Sequence, residues 1–327
     1  MNETIRVLIS ESLSSRAEEI LTESGSFEVL NRPGLSRKEL LELTKDIDAL
    51  IVRSATRVDE AVLGAGGRLK IVARAGIGVD NIDLESASRR GVLVVNAPDG
   101  NVVTTAEHTI AMMTALARNI PQAVLSVKEG KWERRKFVGV ELHSKTLGII
   151  GLGRVGSVVA RLAQGLGMNV LAHDPFISEE AAAKRGVKLT DLDGLLAQSH
   201  YITLHVPKMT ESKYIIGADE IEKMRPGVRI INCSRGGLID GRALEAELEK
   251  GRVAGVALDV YDQEPPDASD PLVGRDDVVC TPHLGASTDE AQINVAVSVA
   301  QQIVSYLTKG IVKYAVNFPS LGPEDLE

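Results

Sequence analysis

The sequence predicts an α/β protein built of two doubly wound, parallel-sheet domains. Short apolar runs alternate with amphipathic stretches over two parts of the 327-residue chain. Aromatic residues make up only 3%, whereas Val, Ile, Leu, Ala and Gly abound, as in parallel sheets covered on both faces. Between Thr146 and Asp174 a strand, a glycine turn, a helix start, a second strand and an acid follow in that order.

The first strands are expected at Arg6–Ile9, Glu28–Leu30, Ala49–Val52, Lys70–Ala73 and Leu93–Asn96, with amphipathic helices such as Ser14–Ser24 and Arg37–Thr44 between them. A longer helix is expected over Thr105–Ala117, ending before Pro121. The second series of strands comprises the apolar run before Gly151, then Asn169–His173, Tyr201–Val206, Val228–Cys233, Ala254–Val260 and Val278–Cys280. A last helix starts at a capping box, Ser287-Thr288-Asp289-Glu290, in which the Ser287 hydroxyl takes a helical amide and Glu290 reaches back. Its apolar stripe is Ile293, Ala296, Ala300, Val304 and Leu307, and Gly310 stops it. Tyr314–Phe318 reads as a further short strand or extended arm.

Net charge is −8 with acids and bases interspersed, and no basic stripe offers a nucleic-acid surface. No apolar run approaches the roughly 18 residues of a membrane span. Met1–Ser10 lacks the basic and long apolar regions of a signal peptide. Cys233 and Cys280 form neither a disulfide framework nor a metal-ligand spacing, so buried thiols, no metal and a cytoplasmic setting are expected.

The glycine turn has a physical reading. Gly151 allows the tight exit from the strand, Gly153 lets a pyrophosphate reach the backbone, and Gly156 lets the helix pack close. The amides at the helix start face the phosphate, favoured by the helix dipole. Asp174, 18 residues beyond Gly156, is spaced to accept both adenosine ribose hydroxyls, and its charge repels a 2′-phosphate. Its neighbours His173 and Pro175 bring no cation for that phosphate, so the cofactor expected is NAD rather than NADP.

Three polar residues follow three strands of the second half, where open parallel sheets bind ligands. Arg235 follows Val228–Cys233, Glu264 follows Ala254–Val260, and His283 follows Val278–Cys280. The guanidinium fork suits a carboxylate, the imidazole suits a hydroxyl proton, and the glutamate orients the imidazole. Together they fit oxidation of a 2-hydroxy acid by a nicotinamide cofactor.

The chain resembles the D-2-hydroxyacid dehydrogenase family through Val52–Thr56, Ala73–Asn81, Gly130–Lys136, Leu147–Gly156, Asn232–Gly237, Ala257–Val260, Glu264–Pro266 and Pro282–Thr288. The resemblance implies a Rossmann NAD-binding domain, residues 99–285, inserted into a flavodoxin-like substrate-binding domain, residues 1–98 and 286–327, with a hinged cleft between them. Carried over by position, Arg235 binds substrate, Glu264 supports His283, and His283 is the acid/base. Asp259 holds the nicotinamide carboxamide, while Ile77, Arg154, Val155, Val206, Cys233, Ser234 and Gly285 line the cofactor. Ile77 and Val206 stand where many relatives have Thr, so only backbone contacts are expected from them. The substrate set is Arg53, Ser54, Arg74, Gly76 and Asn101, with Gly76–Gly78 offering amides to a carboxylate. The arginines, with the Lys131–Lys136 cluster, suit a phosphate beyond that carboxylate.

The activity so implied is NAD-dependent oxidation of 3-phospho-D-glycerate to 3-phosphohydroxypyruvate, the first step towards serine. Glyoxylate or hydroxypyruvate reduction is the close alternative, and an NAD-sensing corepressor-like interaction protein the distant one. A homodimer through the arm near Trp132 is implied as well. Longer relatives continue past a tail like Asn317–Glu327 with regulatory domains, which this chain is expected to lack.

Overall fold

The computed structural model describes residues 4–208 and 214–318, so of the expected tail only Asn317 and Phe318 lie within the described residues. The chain divides into two compact units. One runs to Asn101 and resumes at Ala286; the other is Val102–Gly285.

The first unit begins with β1 (Ile5–Ile9), α1 (Arg16–Glu23), β2 (Phe27–Asn31), α2 (Arg37–Thr44), β3 (Ala49–Val52), α3 (Glu60–Ala65), β4 (Ile71–Arg74), α4 (Leu84–Arg89) and β5 (Leu93–Asn96). The strands form a parallel sheet in the order β2-β1-β3-β4-β5. Alternation along each strand feeds two cores. Val7, Ile9, Ile51, Ile71 and Val95 face one way; Leu8, Leu50, Val52, Val72 and Val94 face the other, with Leu40, Val62 and Ala87 of α2–α4. Helix starts are held by their caps: Ser36 and Glu39 make a capping box, and Asp59 and Asp83 accept amides of α3 and α4.

The second unit comprises α5 (Val102–Ala117), α6 (Ile120–Lys128), β6 (Thr146–Ile150), α7 (Arg154–Gly165), β7 (Asn169–His173), α8 (Glu179–Ala183), β8 (Lys188–Leu189), α9 (Leu192–Gln198), β9 (Tyr201–Leu204), α10 (Ala218–Lys223), β10 (Val228–Asn232), α11 (Gly241–Glu249), β11 (Val253–Leu258) and β12 (Val278–Cys280). Its parallel sheet runs β12-β11-β10-β9-β6-β7-β8. The winding direction reverses between β6 and β9, and ligands of such sheets bind off the strand ends at that reversal.

The chain then returns to the first unit through α12 (Asp289–Lys309), whose Val295, Ala296, Val299, Ala300 and Ile303 are buried against the first sheet. Two expectations for this helix are corrected. Thr288, not Ser287, caps it, because the Thr288 hydroxyl accepts the Ala291 amide at 3.2 Å. Ile293 is exposed, since the buried stripe runs through Val295 and Val299 instead. Of the expected strand or arm Tyr314–Phe318, one residue pairs: Ala315 bridges antiparallel to Val95, and Tyr314 before it has φ 52°. α5 begins at Val102 rather than Thr105, and Pro121 opens α6, where its missing amide costs nothing. β11 ends at Leu258, which leaves Asp259 and Val260 beyond it. Among the described residues no helix is long and apolar enough to cross a membrane.

Candidate active site

The turn after β6 is shaped by close contacts. Gly151 has φ 94°, and a Cβ there would lie 2.5 Å from the His205 carbonyl oxygen and 2.7 Å from Val206 Cγ1. A Cβ on Gly156 would lie 2.1 Å from the Gly151 carbonyl oxygen, so the helix packs on its own turn only because the side chain is missing. Gly153 is different: the space above it is open, and it caps α7, whose first residues are Arg154 and Val155. An open glycine at the amide end of a twelve-residue helix is a cradle for a phosphate, so these residues fit a dinucleotide. Asp174, at the end of β7, bridges the turn: it accepts the Leu152 amide at 2.8 Å and the Phe176 amide at 2.9 Å.

Across the strand ends from this turn lie the expected chemical groups. Asn232 ends β10, and its side chain organises the next loop. Its Nδ2 donates to the Arg235 carbonyl at 2.8 Å, and its Oδ1 accepts the Ser234 amide and hydroxyl. The Arg235 guanidinium donates to the Ser234 carbonyl at 2.6 Å. Cys233 is buried beside Thr109, and burial pushes its thiol up to about 12, which makes it an inert wall.

His283 and Glu264 meet. Nδ1 of His283 lies 2.7 Å from Glu264 Oε2, and Glu264 Oε1 accepts the Tyr261 amide at 3.1 Å. Burial raises the Glu264 carboxyl, but the His283 and Tyr261 bonds outweigh it and hold the group below its ordinary value. His283 has φ 53°, an uncommon backbone for a side-chain-bearing residue. The flanking contacts hold it there. Asp259, fully buried, accepts the Leu284 amide at 2.7 Å, the Gly285 amide at 2.8 Å and the Thr281 hydroxyl at 2.6 Å. His108 Nε2 of α5 lies 3.1 Å from the same carboxylate. Burial pushes the Asp259 carboxyl up; these donors pull it below its usual value. Thr105 of α5 donates to the Gly285 carbonyl at 3.0 Å. Thr105, His108 and Thr281 were not picked out from the sequence, because their partners lie far along the chain; a His one helical turn beyond a Thr was the available signal.

Ile77 and the substrate candidates belong to the first unit. Arg74 ends β4, and its guanidinium lies over Gly76, where a Cβ would meet Arg74 Nη1 at 1.6 Å. The Gly76 amide donates to the Arg74 carbonyl at 2.9 Å. Arg53 and Ser54 follow β3, and Arg53 Nη1 donates to the Ser12 carbonyl at 3.2 Å. Asn101 is buried, and its Oδ1 has no hydrogen-bond partner. Among the described residues no group of three or more His, Cys, Asp or Glu is arranged to hold a metal.

Residues 110–285 match the D-isomer specific 2-hydroxyacid dehydrogenase, NAD binding domain. A D-3-phosphoglycerate dehydrogenase of Archaeoglobus fulgidus is 52% identical over 99% of this chain and 61% of its own length. One of Bacillus subtilis is 46% identical over 98% of this chain and 60% of its own length. The chain thus spans about three fifths of the curated relatives it matches. The structure of a glyoxylate reductase from Paecilomyes thermophila superposes with a TM-score of 0.87 at 30% identity, covering 97% of this chain and 99% of that one. With fold, glycine turn and the Arg235, Glu264 and His283 positions all present in one domain, the chain belongs to the D-isomer specific 2-hydroxyacid dehydrogenase family and carries its NAD-binding domain.

Proposed function

We propose that this chain catalyses NAD-dependent oxidation of 3-phospho-D-glycerate to 3-phosphohydroxypyruvate. The observation that carries the chemistry is the His283–Glu264 pair at 2.7 Å. With Nδ1 held by the carboxylate, Nε2 is the atom that takes the substrate hydroxyl proton. Arg235 binds the substrate carboxylate and sets the carbon that loses hydride beside the imidazole. Gly151–Gly156 and Asp174 would hold NAD, which would supply the acceptor for the hydride. Asp259 keeps the His283 turn fixed, and the buried Asn101 Oδ1 awaits a donor from the ligand.

The phosphate is assigned to Arg53 and Arg74, in keeping with the names of the relatives at 44–52% identity. The likeness to a glyoxylate reductase supports the second reading, reduction of glyoxylate or hydroxypyruvate. We further infer a cytoplasmic homodimer joined through the end of α6 and the arm after it near Trp132, where Leu125 and Val127 of α6 and Trp132 and Val138 of the arm are 57–79% exposed.

The test is Arg74→Ala on two substrates. Loss of a charge-assisted bond to phosphate, about 1.5–3 kcal/mol, lowers kcat/KM for the phosphorylated substrate roughly tenfold to a hundredfold. Hydroxypyruvate reduction is expected to fall far less. Equal losses on both remove the phosphate from this site and promote the second reading.

A further inference from the structure

Just beyond β1, Glu11 turns its carboxylate on the loop after β3. Oε1 accepts the amides of Arg53 at 2.7 Å and Thr56 at 2.9 Å, and Oε2 accepts that of Ala55 at 3.1 Å. The carbonyl side of the same loop is held by Asn81, whose Nδ2 donates to Arg53 at 2.8 Å and to Thr56 at 2.6 Å. The Ser10 and Thr56 hydroxyls lie 3.0 Å apart, which ties the far end to β1.

These contacts are out of proportion to the packing of the loop. Ser54 and Ala55 are exposed, so no core orders them. Three amides converging on one point form an anion-binding concavity, and a charged acceptor makes each bond strong. Here the anion is built in. The amides of Arg53, Ala55 and Thr56 are thereby withheld from a substrate anion, which is left to the side chains of Arg53 and Ser54 and to the Ser54 amide.

We propose that Glu11 is a positioning residue of the substrate site: with Asn81 it fixes the Arg53–Thr56 loop in the conformation from which Arg53 and Ser54 meet the substrate. The proposal rests on the reading of Arg53 and Ser54 as substrate-binding residues. Its logic is preorganisation. A loop already ordered before binding adds nothing to the ordering cost of the complex, whereas a loosened one weakens ground-state binding and leaves the proton transfer at His283 alone.

The test is steady-state kinetics at saturating NAD, using the 2-hydroxy acid that the wild type oxidises best, on Glu11→Ala, Glu11→Gln and Arg53→Ala in the full chain. Hydrogen exchange of the peptide spanning Arg53–Arg57 is followed alongside. Glu11→Ala is expected to raise KM about tenfold with kcat within about threefold, and to speed exchange in that peptide. Glu11→Gln keeps one acceptor oxygen, enough for the Arg53 and Thr56 amides but not for that of Ala55, and recovers part of the KM. Should Glu11→Ala not fold, Glu11→Asp, one methylene short, takes its place with the same expected rise. An unchanged KM overturns the proposal. So does a parallel loss of kcat and thermal stability that Gln does not recover, which marks a purely structural contact. So does a KM rise in Glu11→Ala with none in Arg53→Ala, because Glu11 is then acting elsewhere. If the best substrate carries no phosphate, the phosphate reading fails, and the role of Glu11 is still decided by the same KM shift.

Discussion

At His283 a hydrogen-bonded pair is assembled from two residues that sit after different strands. His283→Ala is expected to lower turnover about 10²–10⁴-fold, the usual contribution of a placed acid/base, with NAD affinity retained because the glycine turn is untouched. Turnover and NAD binding on the purified variant check this; near wild-type turnover removes His283 from the mechanism. Glu264→Gln is expected to do less harm. Gln leaves an acceptor at the Glu264 position, whose carboxylate lies 2.7 Å from the ring, so turnover is expected to fall less than in His283→Ala. A loss as large as that of His283→Ala argues against the pairing. Asp174 closes the turn through Leu152, and on the proposed reading its charge also faces the cofactor ribose. Asp174→Asn keeps an acceptor for the amide but removes the charge, so the ratio of NADP to NAD efficiency is expected to rise at least about tenfold. A wild type that already uses both cofactors equally refutes that reading. Arg235, Glu264 and His283 were legible because each follows an apolar run in a short motif. His108 and Glu11 were not. Each looks like an ordinary helix or loop residue until folding brings it to Asp259 or to the Arg53–Thr56 loop.

Elements of the first sheet were legible because β-branched runs of four or five residues admit little else. The short β8, Lys188–Leu189, was not, since two residues carry no period. The start of α12 shows how a sequence pattern misleads by one position. Ser287 and Glu290 have capping-box spacing, and so do the next two residues, Thr288 and Ala291, for a simple cap. The chain uses the second because Thr288 is extended, with φ −127° and ψ 158°, and offers its hydroxyl to the Ala291 amide. Thr288→Ala is accordingly expected to destabilise the protein by about 1 kcal/mol, and Ser287→Ala by less than about 0.5 kcal/mol. Thermal or urea unfolding separates the two; the reverse ranking restores the Ser287 cap. The Ile293 misplacement has the same origin. A helix buried on one face shows a clear stripe only where neighbours are polar, and α12 carries apolar residues on more than one side.

Taken over the whole chain, the two sheet orders explain why chemistry gathers where it does. In the second unit the reversal between β6 and β9 puts the glycine turn at one side of the strand ends, and the loops after β10, β11 and β12 bring Arg235, Glu264 and His283 to the same edge. In the first unit Arg53 likewise follows β3, and Arg74 ends the adjacent parallel strand β4. Strand–helix alternation predicts such edges, but periodicity has no means of saying that the final helix belongs to the first unit; only packing of Val295–Ile303 on that sheet decides it. The most direct measurement is the initial rate of nicotinamide reduction by the purified chain with 3-phospho-D-glycerate, D-glycerate and glycolate, each with NAD and with NADP. NAD with the phosphorylated acid is expected to give the highest kcat/KM, with NADP poor throughout. A chain that binds NAD yet reduces it with none of these acids, or that prefers an unphosphorylated acid, contradicts the assignment.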